Sequence, residues 1–418
     1  MLKSPRAAIT LSMLLTLYAL GFTNLFLRGS LGILGPELTT EMNLTPELLS
    51  AVASSFFFAY AALQIPTGMF LDRFGPRATL STMLVATTAG AALFAVAQSA
   101  SGLIAARVLM GIGCAGIFTG AFFVLNRWVP PHQVVTQSGL MNSMASLGGL
   151  CATTPLAALI AVIGWREAYW IFTAGVVVLL VMVVAFIRDA PPNEPASTDA
   201  RPAGGQRETL AGVFRGVVEA VRQPGMKQLL VVGIPLSAQS TLLGAWAAPY
   251  LRDVHGLDSI ARGNVLLSMA ICSMFGHVIY GAIARSLNSI KWVVIGGMTL
   301  IVLATAALAL VPSPGVGMVT ALFATISIAA MYPMMAFAHA RSLVPPHLVG
   351  RGLAVTNMGI MTAIAVSQML FGYVVGQFDV VGTASPEIAY QTAFAVLSCL
   401  SALAALVYLP VPDARPRA

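Results

Sequence analysis

Charged residues are scarce in this sequence. Asp, Glu, Lys and Arg make up 9% of its 418 residues, whereas a soluble protein has about 25%. Hydrophobic residues make up 58%, so the chain has too little polar surface to face water on all sides. These proportions exclude a disordered chain, a coiled coil and an ordinary cytosolic enzyme, and they predict a polytopic helical membrane protein.

Cysteines and catalytic motifs are scarce as well. The four cysteines lie in apolar segments and lack the spacing of a disulfide framework or a zinc site. The sequence has no phosphate-binding Gly-x-x-x-x-Gly-Lys-Ser/Thr motif, so we expect that ATP does not drive this protein directly. We predict that the protein is not an enzyme and that it holds no metal ion and no cofactor.

Acidic residues are missing from the middle of every long apolar segment. All fifteen Asp and Glu residues fall in loops, in a central linker, in the tail or at the ends of predicted helices. Two basic residues, Arg28 and Arg107, lie within predicted helices. A cavity that contains arginine but no acid has a positive potential, which favours an anion as ligand and disfavours a cationic drug.

The apolar segments are long enough to cross a bilayer, which takes about 20 residues. They predict an all-α membrane protein with twelve transmembrane helices, at residues 9–34, 49–70, 78–97, 103–125, 138–160, 167–187, 228–250, 265–284, 292–311, 316–340, 353–375 and 388–409. The first segment resembles a signal peptide but has no small-residue cleavage site, so we interpret it as the first helix.

The basic residues indicate the orientation in the membrane. The N-terminus, the even-numbered loops, the linker and the tail hold 17 of the 22 Lys and Arg residues, whereas the odd-numbered loops hold Arg166, Arg252 and Arg262. Because Lys and Arg are concentrated on the cytoplasmic side, we predict a multi-pass protein of the inner membrane with both termini in the cytoplasm. We expect a monomer in a lipid bilayer and no nucleic-acid partner.

The sequence contains an internal repeat. Pro130, Pro131 and His132 precede Asn142 in the fifth predicted helix, and Pro345, Pro346 and His347 precede Asn357 in the eleventh, at one offset of 215 residues. Two six-helix pseudo-repeats in the same orientation suit a transporter whose halves rock about a central site. We predict bundles at 1–187 and 227–418, joined by a cytoplasmic linker at 188–226 with an amphipathic helix.

The loop after the second helix contains Gly68, Asp72, Arg73, Gly75 and Arg77. This order resembles the signature of the major facilitator superfamily, and Arg107 with the glycines that follow it matches another motif of that family. The glycines permit a tight turn between helices. The resemblance covers the whole chain, and it implies that these six residues form a conformational latch.

A narrower resemblance is to the anion:cation symporter branch, which moves organic carboxylates. It is carried by Asn24-Leu-Phe-Leu-Arg28, by Tyr60-Ala-Ala-Leu-Gln64-Ile-Pro-Thr-Gly68 and by Gly164-Trp-Arg166. The resemblance implies that Arg28 and Tyr60 contact an anionic substrate. The branch carries coupling acids at two positions where this sequence has Leu27 and Cys114, so those groups do not couple a proton here.

Polar residues in other predicted helices can complete a binding site. Besides Arg28, Tyr60 and Gln64, the substrate-binding candidates are Asn142, Gln239, Tyr332 and Asn357. The alternative for each of these neutral residues is a hydrogen bond between helices. For Arg28 the alternative is a side chain that extends to the outer interface, and for Arg107 it is a role in helix packing.

Two histidines in predicted helices, His277 and His339, could titrate near neutral pH. They are candidates to replace the missing acids as proton carriers, although a structural role is the alternative. We predict a secondary active transporter that moves a small organic anion, a carboxylate, by alternating access. Its energy would come from a coupled proton or ion, or from exchange against another anion. The alternative is an efflux pump for drugs or a siderophore.

Overall fold

The computed structural model describes residues 5–189, 210–379 and 385–414, and all regular elements in these ranges are helices. The N-terminal half contains α1 (Pro5–Met42), α2 (Pro46–Val96), α3 (Ala100–Cys114), α4 (Ile117–Trp128), α5 (Pro131–Cys151), α6 (Thr154–Ile163) and α7 (Trp165–Phe186). The helix α8 (Leu210–Arg222) follows. The C-terminal half contains α9 (Met226–Leu230), α10 (Gly233–Thr241), α11 (Ala247–Asp253), α12 (Ser259–Leu287), α13 (Lys291–Leu310), α14 (Val316–Ala329), α15 (Pro333–Leu343), α16 (Val349–Val375) and α17 (Glu387–Tyr408).

Within the described ranges, nine helical segments are long and apolar enough to cross a membrane, and ten if the bent pair α5–α6 is one span. The helix α2 covers two of the predicted spans, and α14 with α15 covers the tenth. The structure is therefore consistent with twelve spans, the second and third being separated within α2 by a turn at Gly75.

The merged helix α2 is broken at Gly75. This residue has a φ of 78° and a ψ of 167°, a conformation that glycine adopts without the steric cost of a Cβ. A Cβ there would also overlap the carboxylate of Asp189. The tight turn that the motif predicts is therefore present, and it connects the second span to the third.

Matching breaks occur in the two halves. The fourth span is interrupted between Cys114 and Ile117, and the tenth between Ala329 and Pro333. The residues before the two breaks are 215 apart, which is the offset of the sequence repeat. The structure thus repeats a helical break at the offset of the sequence repeat, although both spans are predicted to be continuous.

The halves meet mainly along five contacts, one of which joins α1 to α11. The helix α2 packs against α16, α1 against the π-helical turn Leu242–Trp246, and α6 and α5 against α12. We call the end of the bundle that carries the α1–α2 connection the distal end, and the end that carries α8 the terminal end.

The helix α8 lies where the amphipathic linker helix is predicted. Val217 and Ala220 are buried, and α8 packs against α9 and α16. The Glu219 carboxylate lies 3.6 Å from Nε2 of His347, which precedes α16. The linker helix is therefore attached to the C-terminal half. Residues 190–209 lie outside the described ranges, and the predicted boundaries of the bundles stay predictions.

Candidate functional site

The side chain of Arg28 lies between α1 and α2. Its guanidinium carbon is 5.4 Å from the ring centroid of Phe57 and 6.0 Å from that of Tyr60. Both aromatic side chains are buried. This guanidinium therefore lies inside the bundle and is stabilised by the ring faces, which differs from the sequence-based alternative of an extension to the outer interface.

The charge of Arg28 is not paired with an acid in the part of the chain that the structure describes. Its guanidinium forms no ion pair and no hydrogen bond with the described residues, and the side chain is half-buried. A guanidinium has five N–H donors in a planar fork that matches a carboxylate. The guanidinium carbon lies over the rings of Phe57 and Tyr60, and the N–H donors have no partner among the described residues, so they are available to a ligand.

A pair of amides crosses the interface between the halves beside Tyr60. Asn357 of α16 donates a hydrogen bond of 2.7 Å to the Gln64 side-chain oxygen, and both amides lie next to the Tyr60 hydroxyl. The structure therefore brings together Arg28, Tyr60, Gln64 and Asn357, which the sequence predicts to bind substrate.

The same region contains the break between α3 and α4, which leaves backbone carbonyls without helical partners. Asn24 donates to the carbonyl of Cys114 at 2.9 Å, and Gln64 donates to that of Ala115 at 3.3 Å. Asn24 lies one turn before Arg28 on α1, and its own side-chain oxygen is buried without a partner in the described ranges. Sequence reasoning quoted Asn24 in a motif but gave it no role.

The guanidinium of Arg107 is buried in the N-terminal half. It donates to the backbone oxygen of Leu27 at 2.9 Å and lies 4.6 Å above the ring of Phe56, and the residue is 1% exposed. These contacts agree with the alternative stated for Arg107, which is a role in helix packing. Arg107 is thus placed in the core, on a different helix from the loop residues with which the resemblance groups it.

The loop residues of the predicted latch lie at the terminal end. Gly68 has open space beside it, and Asp72, Arg73 and Arg77 are exposed. The backbone N–H of Arg77 donates to Asp189 at 3.0 Å, and its guanidinium donates to the backbone oxygen of Val184. Sequence reasoning missed Asp189, although its position directly after an apolar span was a usable signal. The latch role stays a prediction.

Two of the three remaining substrate-binding candidates bond to residues other than Arg28 and its neighbours. Gln239 donates to Ser273 at 2.9 Å, and the buried Tyr332 donates to the backbone oxygen of Val232 at 3.1 Å. Asn142 is half-buried on α5. The bonds of Gln239 and Tyr332 join helices within the C-terminal half, which corresponds to the alternative stated for them.

The histidine candidates are placed differently. The side chain of His277 lies outside the described residues. His339 is buried, and its Nε2 donates to the backbone oxygen of Pro412 at 2.8 Å. Because a carbonyl oxygen can only accept, Nδ1 is left to accept from the Tyr408 hydroxyl. His339 therefore holds the C-terminal segment, and its role as a proton carrier stays a prediction.

The distal end is closed by contacts between the halves. Glu37 of α1 pairs with Arg262 of α12 at 2.9 Å, and Thr154 of α6 donates to Asn264 at 3.0 Å. Gly32 of α1 packs so closely on the π-helical turn that a Cβ would overlap the carbonyl oxygen of Leu243. Sequence reasoning treated Glu37 and Arg262 only as charges outside the membrane.

The chain is similar to known proteins over most of its length. Residues 17–367 match the family model described as the Major Facilitator Superfamily. The probable sulfoacetate transporter SauU of Cupriavidus necator is 30% identical over 171 residues, which cover 41% of this chain and 40% of that protein. A putative tartrate transporter of Agrobacterium vitis is 22% identical over 70% of each chain. The probable L-galactonate transporter of Escherichia coli is 26% identical over 69% of this chain and 63% of that protein.

Solved structures share the fold at low sequence identity. An inward-facing, occupied bacterial homolog of the human lysosomal transporter Spinster is 17% identical, with a TM-score of 0.76 over 98% of this chain and 97% of that chain. The nucleoside transporter NupG is 13% identical, with a TM-score of 0.74 over 96% of this chain and 98% of that chain. The all-α membrane fold predicted from the sequence is thereby confirmed.

Proposed function

This chain belongs to the major facilitator superfamily, and on that premise we propose that it moves a small organic anion, a carboxylate, across the membrane by alternating access. The observation that carries the proposal is the Arg28 guanidinium, which lies over the rings of Phe57 and Tyr60 inside the bundle and is unpaired among the described residues. Such a charge is costly within a membrane protein, so it requires a ligand of opposite sign for part of the cycle.

The hydrogen-bond donors of Arg28 and of the residues around it suggest a role for each in binding the anion. Arg28 binds the carboxylate through its N–H edge, because a bidentate pair of this kind is strong and directional. Tyr60, Gln64 and Asn357 contact the hydroxyl groups of the anion. Since Gln64 and Asn357 come from different halves, a ligand that takes over their hydrogen bonds acts on both halves at once.

The relatives support an organic acid as the cargo. The three named above are described as carriers of sulfoacetate, tartrate and L-galactonate, all of which are small anions with oxygen acceptors. This chemistry favours the anion carrier over the export of a drug or a siderophore. The match covers 40% of the sulfoacetate relative, so its substrate is one of several to test.

The protein is a multi-pass membrane protein of this family, and we place it in the inner membrane as a monomer. The excess of Lys and Arg at the terminal end supports cytoplasmic termini, so the distal end faces outward. In this orientation the described contacts close the outer side. Energy comes from a coupled proton or ion, or from exchange against a second anion.

Uptake into proteoliposomes tests the proposal. Purified protein is assayed with labelled tartrate, galactonate and sulfoacetate, once against an internal anion and once with an imposed pH gradient. Arg28→Ala removes the fork, and the loss of a buried charged contact costs about 2 kcal/mol or more, which is roughly thirtyfold in affinity. Arg28→Lys recovers only part of it, because an ammonium lacks the planar fork.

The matched control is Arg188→Ala, which removes an exposed guanidinium at the end of α7. We expect this variant to transport like the unmodified protein. Normal uptake by Arg28→Ala would refute the site assignment, and no uptake of any organic acid by the unmodified protein would refute the proposed cargo.

A further inference from the structure

Two guanidiniums of the C-terminal half hold a single turn of α1 at the distal end. Arg262 pairs with the Glu37 carboxylate at 2.9 Å. Arg252 donates to the backbone oxygen of Pro36 at 3.0 Å and to the Thr40 hydroxyl at 3.3 Å. The turn thus presents a carboxylate and a hydroxyl, which are the acceptors that a hydroxy acid offers, together with a backbone carbonyl.

Both guanidiniums also form hydrogen bonds within the C-terminal half. The carboxylate of Asp253 accepts from Arg252 Nε at 2.8 Å, and it also accepts from the Tyr390 hydroxyl at 2.7 Å. Arg262 Nε donates to the backbone oxygen of Asp258 at 3.2 Å. Both donors therefore stay in place when α1 moves away.

The charges of the two guanidiniums are compensated differently. Asp253 neutralises Arg252 within the same half. The carboxylate of Asp258 is occupied in capping α12 through the N–H of Ala261. The carboxylate paired with Arg262 is that of Glu37, which belongs to the other half. Separation of the halves thus leaves Arg262 with a charge that requires a new anion.

The pairing of Arg262 with Glu37 is also incomplete. Arg262 is 6% exposed, and its Nη1 has no partner among the described residues, nor does the second oxygen of Glu37. A buried donor without a partner is unfavourable. A carboxylate that reaches both terminal nitrogens makes two parallel hydrogen bonds, so a free anion can fit this site better than Glu37 does.

Glu41, one turn after Glu37 on α1, has its partners in the same half of the protein. Glu41 pairs with Arg166 at 2.7 Å and accepts from the indole of Trp165 at 2.6 Å. Both partners lie at the start of α7 in the same half. Glu41 therefore keeps the distal end of α1 attached to the N-terminal half, whereas Glu37 must part from Arg262 whenever this end opens.

We propose that Arg252 and Arg262 form a second, distal anion-binding site for a small hydroxycarboxylate, and that Glu37 is its tethered occupant while the distal end is closed. Arg262 supplies the charge and Arg252 supplies further hydrogen bonds. Binding of the free anion competes with Glu37 and stabilises the open distal end. The physiological ligand of this site rests on the proposed function. In that function, the distal site receives the transported anion before the anion reaches Arg28.

Distances across the distal end test this site. Spin labels are attached through Asn43→Cys on the N-terminal half and Ile260→Cys on the C-terminal half, both exposed, after the four native cysteines are replaced by alanine. All proteins carry Arg28→Ala, so that the central site does not contribute. Tartrate is the probe, with chloride at equal ionic strength as the reference, and double electron–electron resonance reports the fraction of long distances.

Tartrate is expected to increase the long-distance fraction. Glu37→Gln is expected to reach half of the effect at about one-tenth of the tartrate concentration, because the tethered charge no longer competes. Glu41→Gln is the matched control and responds like its parent. Arg262→Gln loses the response, and Arg262→Lys weakens it because the ammonium lacks the planar fork.

Thermal unfolding of each variant confirms that it is folded. Equal tartrate dependence of Glu37→Gln and Glu41→Gln would overturn the proposal, as would a response that persists in Arg262→Gln or is missing from every protein. These distances require no transport. A protein that shows the response but takes up no organic acid would therefore refute the proposed function and leave the distal site intact.

Discussion

The carboxylate of Asp189 accepts a hydrogen bond of 3.0 Å from the backbone N–H of Arg77. In the other half the carboxylate of Asp413 accepts one of 3.0 Å from the N–H of Lys291. Each acid follows the last long helix of its half, and each N–H begins the third span of that half. An acid in this position satisfies an unpaired N–H and complements the helix dipole.

The residue before each acid is bound as well. The indole of Trp128 donates to the backbone oxygen of Arg188 at 3.1 Å, and His339 donates to that of Pro412. The third, fourth and sixth spans of each half are therefore joined at the terminal end by equivalent bonds. We expect these three spans to move as a unit in both halves.

Removal of the first of these carboxylates is expected to weaken the N-terminal half. Asp189→Ala leaves the N–H of Arg77 without its acceptor, and the loss of such a cap costs about 1 kcal/mol. The measurement is the midpoint of thermal unfolding in detergent. Arg188→Ala is the control, because the backbone oxygen that Trp128 uses is kept. An unchanged midpoint for Asp189→Ala would contradict the capping role.

The second carboxylate gives the protein a dependence on pH. Partial burial raises the pKa of Asp413, but hydrogen bonds from Ser289 and from the N–H groups of Lys291 and Ala414 outweigh it, so the pKa is lowered overall. A carboxyl with a lowered pKa stabilises the folded state above its ordinary pKa of about 3.9 and loses that contribution as the pH falls through the lowered value.

We therefore expect the unmodified protein to unfold at a higher temperature than Asp413→Asn at about pH 6, and the difference to shrink toward about pH 3. Unfolding midpoints across this range, measured in one detergent, provide the test. A difference that stays constant with pH would show that the charge of Asp413 does not stabilise the fold.

Closure of the distal end depends on Gly32. A side chain there would overlap the carbonyl oxygen of Leu243, and overpacking of this kind costs about 1–3 kcal/mol. Gly32→Ala is therefore expected to lower the ratio of closed to open molecules about 5- to 150-fold and to slow transport. The distance between spin labels at positions 43 and 260 reports the change.

The control for this prediction is Gly35→Ala, on the same helix. A Cβ at Gly35 would lie 3.5 Å from the carbonyl oxygen of Ala245, which is an ordinary contact. We expect this variant to close and to transport normally. Equal behaviour of the two alanine variants would show that the close approach at Gly32 does not limit closure.

The hydrogen bond between Gln64 and Asn357 predicts a non-additive effect. Gln64→Ala, Asn357→Ala and the double variant form a thermodynamic cycle, read from the affinity for the transported anion. Residues that share a hydrogen bond have coupling energies of about 0.5–3 kcal/mol. Gln64 with Ser273, which bonds to Gln239 instead, is the control pair, and additivity in both cycles would contradict the bridge.

The fold was largely predictable because its signal is local. An apolar segment of sufficient length must form a helix in a bilayer, since its backbone groups have no other partners there. The repeat of Pro130 and Pro345 marked equivalent positions in the two halves, and the structure begins α5 and the turn before α16 directly after these residues. The turn between the second and third spans was predicted as well, and Gly75 makes it in a single residue.

The candidate site was predictable only in part. The placement of Arg28 with Tyr60 followed from a resemblance, and the absence of a nearby acid followed from the inventory of charges. The sequence could not separate Asn357, which bonds to the other half, from Gln239 and Tyr332, which bond within their own. All three are polar residues in apolar helices, and the difference arises from helix packing that hydropathy does not encode.

The interruption between α3 and α4 has a consequence for how motion is transmitted. An unbroken helix supplies its own carbonyl partners, but here Asn24 and Gln64, from the first two spans, supply them. The angle between α3 and α4 therefore depends on the first and second spans. When the first span moves relative to the second, these two hydrogen bonds change the shape of the fourth span. The conformation of the break thus depends on the relative position of the first two spans.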